Sequence, residues 1–118
     1  MQWKALHITI NLIFLTLLIS VFGTVKATNI DSLQLLVSEY EENKQLDKLT
    51  SVYNKIGNHF LGEKAYQKAL DSYQLSLRTA KKTNNFTKIA DNLYRMGRVY
   101  LYLQNNGEAI EVFLEAYE

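Results

Sequence analysis

The chain has 118 residues, enough for one domain, and 47% of them are hydrophobic, enough to form a core. It contains no cysteine, which excludes disulfide bonds and thiolate metal sites, and its formal charge of +1 gives no reason to expect a nucleic-acid partner. The chain has no proline and only five glycines, which leaves little of the turn chemistry that strands need, so we expect an all-α protein.

The first 27 residues have the pattern of a secretory signal peptide. Lys4 is followed by an apolar run at residues 8–22, and Val25-Lys26-Ala27 places small residues where a signal peptidase reads. We predict cleavage after Ala27. The second interpretation is an uncleaved membrane anchor formed by residues 8–22, and the third is a buried core helix. In the first two cases residues 28–118 lie outside the cytoplasm.

Residues 31–118 repeat themselves with a period of 40 residues. Equivalent residues stand one period apart at several positions: Gly57 and Gly97, Ala69 and Ala109, Tyr73 and Phe113, and the pentapeptides DSLQL at 31–35 and DSYQL at 71–75. Agreement at one offset over many positions, with no gap, is typical of a structural repeat.

Each unit of this repeat predicts a pair of antiparallel helices. The first helix has apolar residues at helical spacing: Leu46, Leu49, Tyr53, Ile56 and Phe60. The second helix contains the stretch AYQKALDSYQLSL and has a similar face: Tyr66, Ala69, Leu70, Tyr73, Leu77 and Ala80. We expect Gly62 to end the first helix in a left-handed cap, and Asn105-Asn106-Gly107 to form a later turn.

Small residues are expected where the two helices of a pair approach each other. Gly57 and Ala69 would allow this approach in the first pair, and the large residues Tyr53, Phe60 and Tyr73 would fill the space on either side. Alternating small and large residues gives dense packing without voids.

This pattern resembles the tetratricopeptide repeat. Two stretches carry the signature: Tyr53-x-x-Ile56-Gly57-x-x-Phe60 with Ala69 and Tyr73, and Leu93-x-x-Met96-Gly97-x-x-Tyr100 with Ala109 and Phe113. The resemblance implies an α-solenoid of antiparallel helix pairs with about two and a half repeats. The usual period is about 34 residues, so these helices are expected to be longer, and the proline of the family is absent. HEAT and armadillo repeats are the second choice.

The chain stops about a dozen residues into its last predicted helix, without the polar capping helix that solenoids need. We therefore interpret residues 28–118 as a repeat domain truncated at its C-terminus.

The sequence offers no group of residues typical of an enzyme. His7 and His59 are its only histidines, too few for a zinc site without cysteine, and the acidic pairs on predicted helices have no motif beside them. No phosphate loop, dinucleotide fingerprint or nucleophile elbow occurs. We expect no catalytic residue, no metal ligand, no cofactor and no enzymatic activity.

The resemblance also implies a concave groove, lined by the first helix of each pair, that binds a peptide or protein segment. By analogy with the family, its residues are Asn54, Asn58, Tyr94, Arg98 and Tyr102. We expect Arg98 to hold a carboxylate of an acidic partner, and Lys88 to lie off this strip. The alternative, given equal weight, is that these are merely exposed polar positions. Chaperone binding is not implied, because Asn54 stands where the chaperone-binding members have a lysine.

The function expected from these features is a protein-interaction scaffold that is secreted or periplasmic. The alternative is the sensory half of a longer signalling protein, because long repeats behind a signal peptide are similar to the extracytoplasmic regions of bacterial histidine kinases and helix-turn-helix regulators. Either form is expected to have a protein or peptide partner and no nucleic-acid partner, and to touch a membrane only through residues 8–22 if these are uncleaved.

Overall fold

The computed structural model describes residues 2–118, with the side chains of residue 12 and residues 14–28 left outside the description. The described residues form five helices and no strand: α1 (Gln2–Glu42), α2 (Leu46–Gly62), α3 (Tyr66–Lys82), α4 (Phe86–Tyr102) and α5 (Asn106–Tyr117). The prediction of an all-α chain is therefore confirmed for the described part.

The N-terminal predictions fall mostly on side chains that are not described. The cleavage site after Ala27 and most of the apolar run at residues 8–22 lie outside the described side chains. Within the described residues, no helix combines the length and the hydropathy needed to cross a membrane. An N-terminal hydrophobic anchor is accordingly not shown.

The chain divides into two compact units, Met1–Ser32 and Leu33–Glu118. Helix α1 begins in the first unit and ends in the second. The last part of α1 and the helices α2 to α5 make up the second unit, which contains the buried core and every residue of the predicted groove.

Four turns of one kind connect the five helices. Each has three residues, and the middle residue has a positive φ in every case: Lys44 (54°), Lys64 (58°), Asn84 (51°) and Gln104 (61°). These residues are 20 positions apart, so the backbone repeats every helix, whereas the sequence pattern repeats every pair of helices.

The same hydrogen bonds close each turn. In the turn after α2, the Ala65 N–H donates to the Phe60 carbonyl at 2.9 Å, and the Lys64 N–H donates to the Leu61 carbonyl at 3.0 Å. The first of these bonds has a counterpart at the other three turns: Gln45 to Tyr40, Asn85 to Ala80, and Asn105 to Tyr100. This is the Schellman arrangement, which satisfies carbonyl groups that a helix end would otherwise leave free.

The prediction that Gly62 takes a left-handed cap is wrong. Gly62 is the last residue of α2, and no described glycine has a positive φ; Lys64 holds the left-handed position instead. The predicted turn at residues 105–107 is displaced in the same way, because Gln104 is its left-handed residue and Gly107 lies inside α5. The cause is the length of the helices, which carries each glycine into the helical segment.

The buried core lies between α2, α3 and α4. Its central cluster consists of Ala69, Leu70, Tyr73, Met96 and Val99, and partly buried residues such as Phe60, Leu77 and Tyr100 pack around it. Ala69 and Tyr73 have no exposed surface, which confirms the prediction that a small and a large residue of α3 are buried side by side.

The two repeat glycines each lie beneath an aromatic ring of the next helix. A Cβ atom on Gly57 would come within 2.5 Å of the Tyr73 ring, and one on Gly97 within 2.5 Å of the Phe113 ring. Carbon atoms that are not bonded rest about 3.5–4.0 Å apart, so any side chain at these positions would displace the ring. The expectation that small residues permit the close approach of paired helices is confirmed at both glycines.

We predict that Gly57→Ala destabilises the fold by about 1–3 kcal/mol, because the completely buried ring of Tyr73 has no space into which to move. The free energy of unfolding, measured by urea denaturation, checks this. The matched control is Gly62→Ala in the same helix, where the added methyl group would meet no atom within 4 Å and stability should be unchanged or slightly higher. Equal effects of the two substitutions would contradict the packing described above.

We also predict that Lys44→Gly stabilises the fold by up to about 1 kcal/mol, because glycine removes the steric cost of a left-handed residue and loses part of that gain to its greater freedom when unfolded. Thermal melts of the variant and the parent check the direction. The control is Lys55→Gly, an exposed position inside α2, which should lose about 1 kcal/mol instead.

Candidate functional site

Helices α2 and α4 meet along one edge through polar side chains. We call this contact the α2–α4 seam and define it by Asp47, Ser51, Asn54 and Asn58 of α2 with Lys88, Asp91, Asn92 and Arg95 of α4. At its centre the Asn54 amide donates to Asn92 Oδ1 at 3.1 Å. Asn92 is 1% exposed, and its own amide donates to the Lys88 carbonyl at 2.8 Å. The buried amide is thus hydrogen-bonded on both sides.

Lys88 connects the two helices at one end of the seam. Its Nζ donates to the Asp47 carbonyl at 2.8 Å and to Ser51 Oγ at 3.1 Å, and it lies 3.8 Å from the Asp47 carboxylate. The prediction that Lys88 lies apart from the groove residues is wrong. It faces α2 because α4 stands one period after α2 and directly beside it.

Arg95 occupies the other end of the seam. Its Nε donates to Asp91 Oδ2 at 2.9 Å, and its Nη1 donates to Asn58 Oδ1 at 2.9 Å. The hydrogen bond to Asp91 raises the pKa of the Arg95 guanidinium, so its charge is permanent. The sequence analysis missed Arg95, although an acidic residue four positions before an arginine on one helix is a recognisable sign of an ion pair.

Tyr73 joins the core to this end of the seam. Its ring is completely buried over Gly57, and its hydroxyl donates to Asn58 Oδ1 at 2.7 Å. Burial raises the pKa of the Tyr73 hydroxyl, which keeps it protonated as a donor. Asn58 Oδ1 therefore accepts from Tyr73 and from Arg95, and these two bonds orient its side chain.

The three predicted residues on α4 lie at successive turns of that helix. The Arg98 guanidinium donates to the Tyr102 hydroxyl at 3.4 Å, and the Tyr102 ring stacks on Tyr66 of α3 with centroids 5.3 Å apart. Tyr94 points the other way in the pairing of helices, since its ring packs against Phe113 of α5 at 5.8 Å. Both tyrosines remain about half exposed.

One cleft brings three of the five predicted residues together. This cleft, which we call the arginine cleft, has a volume of about 520 Å³ and is lined by Asn58, Leu61, Gly62, Lys64, Tyr66, Arg95, Arg98 and Tyr102. Asn54 lies instead in a smaller neighbouring cleft of about 240 Å³ that includes Lys88 and Asp91. Tyr94 lines neither of the two. The single strip expected from the sequence is therefore divided between two clefts and one separate tyrosine.

The lining of the arginine cleft carries positive charge. Lys64, Arg95 and Arg98 contribute three cations, no carboxylate is among the lining residues, and only Arg95 is neutralised nearby, by Asp91. Tyr66 and Tyr102 add an aromatic wall with two hydroxyl groups. Guanidinium groups form paired hydrogen bonds with carboxylates and phosphates, so an anionic group is the ligand that this chemistry suits.

No group of three or more histidine, aspartate or glutamate side chains gathers into a metal site in the part of the chain that the structure describes. His59 lies 3.6 Å from the Glu63 carboxylate, one helical turn away, and its ring meets Phe60 edge to face. His59 thus has local contacts on its own helix.

We predict that the hydrogen bond between Tyr73 and Asn58 couples the core to the seam. Asn58→Ala should cost about 1–3 kcal/mol, because the Tyr73 hydroxyl loses its acceptor in a buried position. In a double-mutant cycle measured by urea denaturation, Asn58→Ala should cost distinctly less when it is combined with Tyr73→Phe. Identical costs in the two backgrounds would show that the hydroxyl does not depend on Asn58.

No protein-family model matches the chain, and the comparisons with curated proteins and with solved structures gave no match either.

Proposed function

We propose that this protein is an interaction scaffold that binds an acidic peptide or protein segment along the face formed by α2 and α4. The observation that carries the proposal is the arginine cleft, where three cations and two tyrosines converge without a carboxylate in the lining. Arginine and tyrosine are among the residue types that dominate binding energies at protein interfaces.

The repeat geometry supports a solenoid of the tetratricopeptide type as the framework of this scaffold. Helices α2, α3 and α4 each have 17 residues, and their bounds recur every 20 positions along the chain. The contacts of Gly57 with Tyr73 and of Gly97 with Phe113 recur one period apart. In such a solenoid, α2 and α4 are the first helices of successive pairs, and their side-by-side arrangement forms the binding face.

The amides of the α2–α4 seam would serve an extended segment in a different way from the arginines. Asn54 and Asn58 each bring both donor and acceptor atoms to the edge of the two clefts, which suits a peptide backbone with its alternating N–H and carbonyl groups. Arg98 would hold an acidic side chain or a terminal carboxylate beside Tyr102. Tyr94 lies away from this path and contributes less.

The pattern of residues 1–27 supports a location outside the cytoplasm for this scaffold, in the periplasm or in the medium. The proposed partner is accordingly a protein or peptide that meets the chain there. The proposal includes no catalytic step and no cofactor.

We predict that a random peptide library displayed on phage, selected on the immobilised full-length protein, enriches peptides with aspartate or glutamate. Arg98→Ala should weaken binding of a selected peptide by about 2 kcal/mol or more, measured by isothermal titration calorimetry, while the circular dichroism spectrum stays the same. Binding should also weaken with added salt.

The matched control is Arg78→Ala, which removes an exposed arginine from α3 at a position outside both clefts. This variant should bind like the parent. If the selected peptides carry no acidic residue, or if their affinity survives Arg98→Ala combined with Tyr102→Ala, the arginine cleft is not the binding site.

A further inference from the structure

The outer face of α5 is apolar and open to solvent. Ile110 is 60% exposed, Leu114 is 62% exposed and Tyr117 is 93% exposed. These residues stand at positions i, i+4 and i+7 of one helix, so they share one face. We call it the α5 face. The opposite side of α5 packs on α4 through Ala109, which is completely buried, and Phe113.

The equivalent face of α3 shows what such a surface contacts elsewhere in this protein. Leu70 stands 40 positions before Ile110, is only 4% exposed, and packs in one cluster with Met96 and Val99 of α4. Leu77, which stands 40 positions before Tyr117, is packed against the same cluster. In α3, therefore, the same helix face is covered by another helix.

Leu114 makes the α5 face more apolar than the repeat requires. Its counterpart in α3 is Gln74, which is exposed to solvent. A leucine that is 62% exposed has no packing role among the described residues, whereas three apolar side chains in a row form a seam of the kind that a second helix buries.

Charge restricts the helix that fits. Glu108, Glu111, Glu115 and Glu118 all lie on or at the end of α5, all are exposed, and α5 contains no lysine or arginine. Only Glu115 has a cationic neighbour, Lys81 of α3, at 2.9 Å. A second copy of α5 would place two sets of carboxylates next to each other, which electrostatic repulsion opposes. A helix flanked by lysine or arginine would complement them.

We propose that the α5 face is a docking surface for an amphipathic helix of a partner protein, with an apolar seam bordered by basic residues. Helix α4 is the internal example of such a helix. It covers Leu70 with Met96 and Val99, and its charged residues, Lys88, Asp91, Arg95 and Arg98, leave it with two more positive than negative groups. This inference is independent of the arginine cleft and of the function proposed for it.

The test uses a fluorescein-labelled synthetic peptide with the sequence of residues 86–103, added to the full-length protein and followed by fluorescence anisotropy. We expect saturable binding that weakens as salt is added, and that weakens about tenfold or more when the protein carries Ile110→Ser and Leu114→Ser together. A peptide of the same composition in scrambled order should not bind.

The control variant is Leu75→Ser, which removes an exposed leucine from α3 and should leave the affinity unchanged. Circular dichroism verifies that each variant stays helical. Two results would overturn the proposal: peptide binding that is absent or insensitive to the double substitution, and a sedimentation measurement in which the parent is a dimer that the double substitution dissociates. The second result would assign the α5 face to another copy of the chain.

Discussion

The contact between Gly57 and the ring of Tyr73 is the interaction on which the rest of the repeat unit depends. Because glycine has no side chain, α3 approaches the backbone of α2 closely, and the Tyr73 ring is buried there completely. The ring position then sets the hydroxyl 2.7 Å from Asn58, and the same oxygen of Asn58 receives Arg95 from α4. A packing contact between two helices thereby fixes polar groups on the surface of a third.

The turns make this arrangement repeat. All four connections have three residues with one left-handed residue in the middle, and α2, α3 and α4 have the same length, so successive helices return at the same angle and height. Helices α2 and α4 are consequently neighbours with equivalent faces. Their contact is polar, with a buried Asn92 hydrogen-bonded to Asn54, and such directional bonds favour one register between the helices more strongly than apolar contacts would.

The two proposed binding surfaces differ in chemistry and in position. The arginine cleft is cationic and lies near the turn between α2 and α3, with Lys64 and Arg98 in its wall. The α5 face is apolar with an acidic border. Because α3 and α5 stand one period apart, the cover that α4 provides on Leu70 shows directly what the exposed Ile110 lacks among the described residues.

The sequence by itself determined the helices, their pairing, and the glycines that lie beneath aromatic rings, because apolar spacing and the 40-residue period depend only on residue order. It also identified Asn58, Arg98 and Tyr102, which share the arginine cleft. Only the tertiary structure decided which groups meet. The left-handed residue is a lysine at position 64, set by the geometry of the Schellman turn rather than by residue preference. Arg95 enters the cleft because Tyr73 orients its acceptor from the core, a relation between residues on three different helices that no local pattern contains.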